Sequence, residues 1–400
     1  MVSIRDDSPT YSSFDNLLRL LLLAAIVIGG SAPSSAYSLT ITSAGFAYAG
    51  NSNSIETRFK YSKRYEKSIV RKGSNVSAVL RQALARRQYP FDLNTSENID
   101  SKGDEVLVTA LTVTGETVSE ETFGPIHKLF VQIRAQALIF DFATKKIRRT
   151  YPISFAYLDV LDHSPSDVEI DERVAKVYEG AQGKDGIFGR YAAALATATL
   201  PHIGDLFLQI TKVTISPDAS PAIRPEIATV PGAPESWVAD HFGEALNSKG
   251  GVALFPYSPG SAIGGVMQMK LNDTDFNLQF PDPDWDISID LTGVKRVKYA
   301  ENAAGTSYVY GSYATVRIAP HGAVQAILDA QFKNGEVKEV PASQTYVDDL
   351  PAYNDSIRGL FDKLAEVLGG QDLPWIKTAA VTPNIGKQIT ATRGLLQKCK

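Results

Sequence analysis

Apolar and polar positions alternate along two stretches of the chain, and this alternation predicts two β-hairpins. The first stretch covers residues 128–157 and turns at residues 144–146, where the apolar run gives way to charged positions. The second covers residues 307–347 and repeats the plan. Its turn is predicted at Asn334 and Gly335, because an Asn-Gly pair favours a tight hairpin. We therefore expect two central strand pairs, with the rest of the chain arranged around them.

The segments around the two hairpins follow the same order, which predicts a duplicated unit. A helical stripe and a strand precede each hairpin, and a second helical stripe and a closing strand follow it. The sequence therefore predicts an α+β fold of two tandem, duplicated domains, each a mostly antiparallel sheet backed by two helices. The alternative is that two unrelated α/β stretches align loosely. The paired segments are the stripes at Val76, Leu80, Ala83, Leu84 and at Val238, Phe242, Ala245, Leu246, the strands 105–113 and 285–294, the stripes that begin at Phe188 and Ile357, and the strands that end at Pro217 and Pro383.

Domain boundaries follow from this alignment. The first α/β domain is predicted at residues 37–217, the second at 235–383, and a tail at 384–400 that is either a short helix or disordered. A linker is predicted at residues 218–234, because five prolines fall within residues 216–234 and favour extended chain.

This order of elements resembles the small α/β modules of bacterial envelope proteins, such as the amino-terminal domain of TolB and the curli-secretion lipoproteins. The resemblance is one of element order, and it assigns no function to any residue.

An export signal is predicted at residues 1–36. Residues 17–28 are almost wholly apolar, too few to span a bilayer comfortably, and small residues lead to a cleavage site before Tyr37. The alternatives are an uncleaved amino-terminal anchor and a buried core helix. We expect an exported protein, periplasmic or extracellular, that is associated with the membrane only if residues 17–28 stay attached.

Composition narrows the functional classes. With 44% apolar and 21% charged residues the 400-residue chain is ordinary for a globular protein, and a net charge of −4 gives no indication of nucleic-acid binding. The single cysteine, Cys399, rules out an intramolecular disulfide and a thiolate metal cluster. We expect it in a frayed tail, and the alternative is a disulfide between the tails of two chains.

A basic segment with interleaved aromatic residues is a candidate for contact with an anionic surface such as acidic lipid. The same pattern fits a half-buried strand that turns its charges to water, and the sequence favours that interpretation. The basic candidates are Arg58, Lys60, Lys63, Arg64 and Lys67.

A calcium site is the one metal site that the sequence suggests. Asp273, Asp275 and Asn277 have the first, third and fifth spacing of a Ca²⁺ loop, and Asp284 stands at the twelfth position. Leu278 replaces the glycine that the loop needs, so the alternative is a solvated acidic loop. No other cofactor is expected.

Three tyrosines of the second hairpin, Tyr308, Tyr310 and Tyr313, are candidates for contact with a partner, because tyrosine combines a large apolar body with a polar tip. Core packing explains the same residues. None of the five histidines has another within four positions, and His241 is expected as a partly exposed helix residue.

These patterns favour an exported, non-catalytic cell-envelope protein that binds or assembles with a partner through paired α/β domains. The partner would be a protein or another envelope component. The alternative is an exported hydrolase or metal-dependent enzyme whose site assembles only in three dimensions, for instance from His241 or His321 with the carboxylates of residues 273–286.

Overall fold

The computed structural model describes most of the chain after the predicted export signal. Residues 1–36 lie outside the described part, so the signal stays a prediction. Among the described residues, no helix has both the length and the apolar character that a membrane crossing requires. Residues 40–400 form one compact unit. The described residues are 39–49, 52–96, 106–123, 125–199, 206–229, 231–252, 254–255, 257, 266–271, 274–344, 347 and 349–399.

The fold is mixed α/β and dominated by sheets. The strands are β1 (Thr40–Ala49), β2 (Asp92–Asn94), β3 (Leu107–Phe123), β4 (Ile126–Asp141), β5 (Lys146–Leu161), β6 (Gly180–Ala181), β7 (Lys184–Asp185), β8 (Leu208–Ile215), β9 (Val266–Leu271), β10 (Thr274–Gln279), β11 (Trp285–Asn302), β12 (Gly305–Pro320) and β13 (Leu328–Pro341). The helices are α1 (Ser52–Arg58), α2 (Lys60–Arg71), α3 (Val76–Leu84), α4 (Asp167–Glu179), α5 (Ile187–Ala196), α6 (Pro225–Ala228), α7 (Ala233–Gly250), α8 (Leu350–Leu368), α9 (Ile376–Ala379) and α10 (Ile385–Leu396), with a 3₁₀ helix at Pro217–Ala222.

The first sheet has the strand order β2-β1-β3-β4-β5-β10-β9, and β9 also pairs with β1. Helices α2 to α5 cover one face of β3–β5, where Val131 and Ile133 of β4 join the apolar core. At the other end of the strands the β9–β10 hairpin closes the sheet around a second apolar cluster that includes Phe140, Met269 and Leu278.

The second sheet has the order β13-β12-β11-β8. Helices α7 and α8 pack against it and against each other, and Phe242, Phe332 and Phe361 are fully buried between them. Helix α7 also contacts β5, so it lies between the two sheets.

Strands β1, β3, β4 and β5 of the first sheet have the same connectivity as the four strands of the second sheet, and β2, β9 and β10 have no counterpart there. In each, a first strand (β1 or β8) leads through helix to a strand parallel to it (β3 or β11), and two antiparallel strands and a helix follow.

Two pairing irregularities correspond between the sheets, whereas those at Arg148 in β5 and Tyr299 in β11 have no counterpart. The first strand carries one extra residue in each sheet, Ala44 in β1 and Thr211 in β8. The next strand carries another, Thr114 in β3 and Thr292 in β11, and a glycine follows both threonines. A β-bulge bends and twists its strand, so the two sheets are bent at the same places. Just after the first bulge, the first strand pairs with Ala110 of β3 in one sheet and with Ser288 of β11 in the other. Each of these residues lies four positions before the bulged threonine of its own strand, Thr114 or Thr292.

Most predicted elements are confirmed. The first hairpin is β4 and β5, and the four helical stripes form α3, α5, α7 and α8. The predicted strands at 105–113 and 285–294 are the first parts of β3 and β11.

The turn predicted at Asn334 and Gly335 is wrong, because β13 runs straight through both residues. The chain reverses instead between β12 and β13, where Gly322 has a φ of 71°. Asn334 is buried and donates from Nδ2 to the carbonyl of Ser356 in α8 (3.1 Å), so its amide anchors the helix rather than a turn.

The strand predicted within the basic segment is also wrong, because residues 52–71 form α1 and α2. Burial of Ile55, Phe59, Ser62, Tyr65 and Ile69 follows helical spacing.

Three expectations near the domain ends are corrected. The proline-rich segment is compact rather than extended, with Ala219 and Ala222 of its 3₁₀ helix fully buried. The strand predicted before Pro383 is reduced to an isolated bridge at Ala380. Cys399 is 1% exposed behind α10 rather than frayed.

The predicted boundary at residue 217 does not coincide with the division between the sheets. Strand β8 precedes the boundary but pairs with β11, whereas β9 and β10 follow it and join the first sheet.

Candidate functional site

A cleft of about 200 Å³ lies between the first sheet and helices α7 and α8. Strands β3, β4 and β5 contribute Ser119, Phe130 and Leu158 to its lining, and the helices contribute Trp237 and Leu350. The cleft therefore has apolar walls built from both halves of the chain.

The floor of the cleft follows from the alternation along β4. Odd-numbered residues of β4 pack under the first group of helices, so even-numbered residues face α7 and the cleft. Gln132 on this face is 3% exposed, and its Nε2 has no hydrogen-bond partner. A buried amide donor without an acceptor costs about 1–3 kcal/mol, so Gln132 is an unfavourable residue for folding alone.

A buried charged layer continues from the floor. The guanidinium Nε of Arg134 lies 3.4 Å from Oδ2 of Asp240 on α7, one turn before Glu244, which accepts a hydrogen bond from Ser154 Oγ. Arg58 is half-buried and faces the same layer. An ion pair therefore connects α7 to β4, and a hydrogen bond to a carboxylate connects α7 to β5.

Burial sets the proton affinities in this layer. Desolvation raises the pKa of Asp240 to about 6, with Glu244 adding to the rise and Arg134 opposing it. Desolvation also lowers the pKa of Arg134 and of Arg58.

His241 belongs to the cleft, so the expectation of a partly exposed helix residue is wrong. It is 7% exposed and packs edge-to-face against Trp237 at 4.6 Å between ring centroids. Burial, with the nearby charges of Arg358 and Arg134, lowers the pKa of His241 well below its ordinary value. The imidazole is therefore neutral at physiological pH.

The charged residues that line the cleft are mostly cationic. Lys128, Arg224 and Arg358 line it, against the single carboxylate of Asp355. Asn354 also lines it, and its buried Oδ1 accepts no hydrogen bond. The cleft thus combines positive charge, an amide acceptor and apolar surface.

The basic candidates on α1 and α2 lie on another face of the first sheet. Three of them form ion pairs with acidic residues, which reduces the positive charge offered to an anionic surface, and Lys60 lies 5.2 Å over the ring of Tyr61. The fifth, Arg58, faces the buried layer. The ion pairs are Lys63–Glu66, Arg64–Asp167 (2.9 Å), Arg64–Asp171 (2.8 Å) and Lys67–Glu56 (3.4 Å).

The candidate tyrosines divide between the core and the surface. Tyr310 is fully buried and donates to Oδ1 of Asp349 (2.6 Å), so core packing accounts for it. Tyr308 stacks under Arg296 at 3.9 Å, and Tyr313 lies on the opposite face near Lys295. They do not line the cleft.

The calcium candidates do not form a loop where they are described. Asp275 and Asn277 lie in β10, an extended strand, and Asp284 accepts from the backbone N–H of Phe207 (2.7 Å). Asp273 lies outside the described residues, and among those described no cluster of three or more His, Cys, Asp or Glu side chains could hold a metal ion.

The alternative hypothesis of an enzyme requires a site in which His241 or His321 lies close to the carboxylates of residues 273–286. His321 meets Asp286 at 3.0 Å, but on the surface. His241 lies in the cleft, whose lining contains none of those carboxylates.

The cleft residues were missed because they come from segments far apart in sequence. The polarity of the even-numbered residues of β4 suggests exposure to solvent. Only the tertiary structure shows that α7 lies on this face of the strand. Comparison with protein-family models finds no matching family, and comparison with curated proteins finds no related sequence.

Proposed function

We propose that this chain is an exported, non-catalytic cell-envelope protein that binds a partner in the cleft between its two sheets. One observation carries the proposal: Gln132 Nε2 and Asn354 Oδ1, one donor and one acceptor, are buried at the cleft without hydrogen-bond partners among the described residues. Buried polar groups are nearly always hydrogen-bonded, so such a pair is best explained by a ligand that supplies the missing partners.

We also propose that the two sheets arose by duplication, with the first unit running from β1 to α5 and the second from β8 to α8. The shared connectivity and the matching bulges at Thr114 and Thr292 support this. The second unit then begins at β8 rather than after Pro217, and the cleft is the place where one unit packs its sheet against the helices of the other.

Photocrosslinking from the cleft in living cells tests the binding function. A benzoylphenylalanine at Leu158, which lines the cleft and is 52% exposed, is expected to give an adduct that mass spectrometry identifies. The matched control is Val70, 59% exposed on α2, which is expected to give no such adduct. Equal labelling from both positions, or turnover of hydrolase substrates by the purified chain, would overturn the proposal.

Export is tested separately. Sequencing the amino terminus of the protein recovered from the envelope fraction should give Tyr37 as the first residue. Recovery of the intact chain in the cytosol alone would overturn the export part of the proposal.

A further inference from the structure

We propose that the cleft takes the carboxyl-terminal residue of a polypeptide, with its carboxylate toward Arg358 and Gln132, its backbone N–H toward Asn354, and a large apolar side chain against the aromatic wall. This inference rests on the proposed binding function and names the partner's chemistry.

The charged lining selects an anion. Arg358 brings a guanidinium group to the lining beside the Gln132 amide, and guanidinium groups pair with carboxylates by two parallel hydrogen bonds. The amide N–H of Gln132 adds a buried donor that the protein leaves unused. Burial lowers the pKa of His241, and the charges of Arg358 and Arg134 lower it further, so positive charge reaches the imidazole.

The unused acceptor distinguishes a peptide end from a simple acid. Asn354 Oδ1 is buried and needs a donor, which the ionised carboxylate of a fatty acid or a phosphate diester does not supply. A terminal peptide residue carries an N–H group close to its carboxylate and therefore satisfies both kinds of unused atom.

The size and the apolar surface of the cleft determine which final side chain it accepts. A volume of about 200 Å³ equals roughly seven water molecules at ~30 Å³ each, which is room for one terminal residue and not for a folded surface. Phe130, Leu158, Trp237 and Leu350 offer apolar contact, so a large apolar final residue fits best.

Calorimetry on the purified full-length chain tests the assignment with four probes. These are a heptapeptide ending in phenylalanine, the same peptide with a terminal amide, N-acetylphenylalanine, and phenylpropionate, which lacks the N–H donor. We expect the free-acid peptide to bind at least tenfold more tightly than its amide, because a hydrogen bond to a charged group contributes more than a neutral one. N-acetylphenylalanine is expected to bind more tightly than phenylpropionate.

A variant and a spectroscopic signal locate the bound carboxylate. Arg358→Gln should weaken binding of the free-acid peptide about tenfold, whereas Arg71→Gln, an exposed arginine at the end of α2, should not change it. Proton NMR should show the pKa of His241 rising when the peptide binds, since a negative charge then lies nearby.

Each contrary result has a defined meaning. Equal binding of the acid and amide peptides overturns the carboxylate assignment while leaving the crosslink at Leu158, and with it the binding function, intact. Binding of N-acetylphenylalanine or phenylpropionate without the peptide overturns the polypeptide source in favour of a small acid. Failure of all four probes overturns this inference, and the binding function falls with it only if the crosslink is also absent.

Discussion

Arg134 and Asp240 approach to 3.4 Å between Nε and Oδ2 in a largely buried layer, yet neither Nε nor Nη1 of the arginine makes a hydrogen bond with the described residues. A buried pair with such incomplete hydrogen bonding contributes little net stability, but loss of one partner leaves the other charge buried and unpaired. The pair therefore fixes how α7 lies on β4 more than it strengthens the fold.

Removal of Arg134 should be costly in a pH-dependent way. Arg134→Met is expected to lower the free energy of unfolding by about 3–5 kcal/mol at pH 8, because Asp240 and Glu244 then lose their buried cation. The cost should be smaller at pH 5, where Asp240, with its pKa near 6, is protonated. Urea unfolding of the variant at both pH values measures this.

The double variant and a surface control make the test specific. Adding Asp240→Leu to Arg134→Met should recover most of the loss, and Lys67→Met, which breaks an exposed pair with Glu56, should cost less than about 1 kcal/mol. An equal cost at pH 5 and pH 8 would show that packing rather than charge explains the effect.

Two neighbouring residues should make opposite contributions to acid stability. The pKa of Asp240 is raised in the folded state, so its contribution is complete below about pH 4 and is lost as pH rises through about 6. The pKa of His241 is lowered, so its contribution is complete above about pH 6.5 and is lost as pH falls below that value. Between about pH 4 and 6.5 the two effects offset each other.

Single substitutions should separate these effects. Asp240→Asn removes the gain on acidification, so stability should fall toward pH 4 more steeply than in the parent chain, by up to about 1.4 kcal/mol per pH unit. His241→Gln removes the loss on acidification, so the stability of this variant should rise toward pH 4 relative to the parent chain. Urea unfolding across pH 4–8 measures the slopes, with Asp92→Asn as the exposed control. Identical slopes in all variants would contradict the assignment.

Alternation in the sequence predicts the strands well where only one face is apolar. The odd positions of β4 pack under the first helices as their pattern indicates, and the stripe through Val238 and Phe242 forms the buried face of α7. The even positions of β4 mislead, because Gln132, Arg134 and Gln136 look solvent-facing but are buried, and Arg134 meets Asp240 of a helix about one hundred residues later. Local polarity cannot reveal a tertiary contact of that kind.

Two local signals failed because tertiary contacts override them. Phe59 and Tyr61 alternate like strand residues, but the buried set of Ile55, Phe59, Ser62 and Tyr65 is spaced by three or four residues, as on one face of a helix. The Asn-Gly pair has the composition of a turn, but Asn334 is used for a side-chain contact with α8.

That contact gives a prediction. Asn334 donates to the Ser356 carbonyl and accepts from Lys363 Nζ (2.9 Å), so Asn334→Ala leaves both groups without this partner. We expect a loss of about 1–3 kcal/mol in urea unfolding. Lys333→Ala, at the adjacent exposed position, should change stability by less than about 0.5 kcal/mol. Equal effects would show that Asn334 is not an anchor.

Cys399 should report on the carboxyl-terminal helix. Its thiol is buried and lies 3.6 Å from the carbonyl of Leu395, so a thiol reagent should modify it only when α10 detaches. We expect slow labelling of the native chain that accelerates in mild denaturant. Immediate labelling in native buffer, as fast as that of the unfolded chain, would contradict the buried placement.

The last prediction separates folding from binding at one residue type. Gln132 and Gln136 lie on the same face of β4, each is almost fully buried, and each has one side-chain polar atom without a partner. Replacing either with leucine removes the unpaired group at similar volume, so both variants should gain about 1 kcal/mol of stability in urea unfolding. Only Gln132 lines the cleft, so only Gln132→Leu should weaken binding of the peptide ending in phenylalanine, by about tenfold.

If Gln132→Leu is stabilised and binds the peptide unchanged, the Gln132 amide does not contact the ligand. If both variants lose binding equally, the effect comes from the sheet rather than from the cleft. A binding role for Gln132 requires both results: the residue lowers the stability of the fold, and it is needed only when a ligand occupies the cleft.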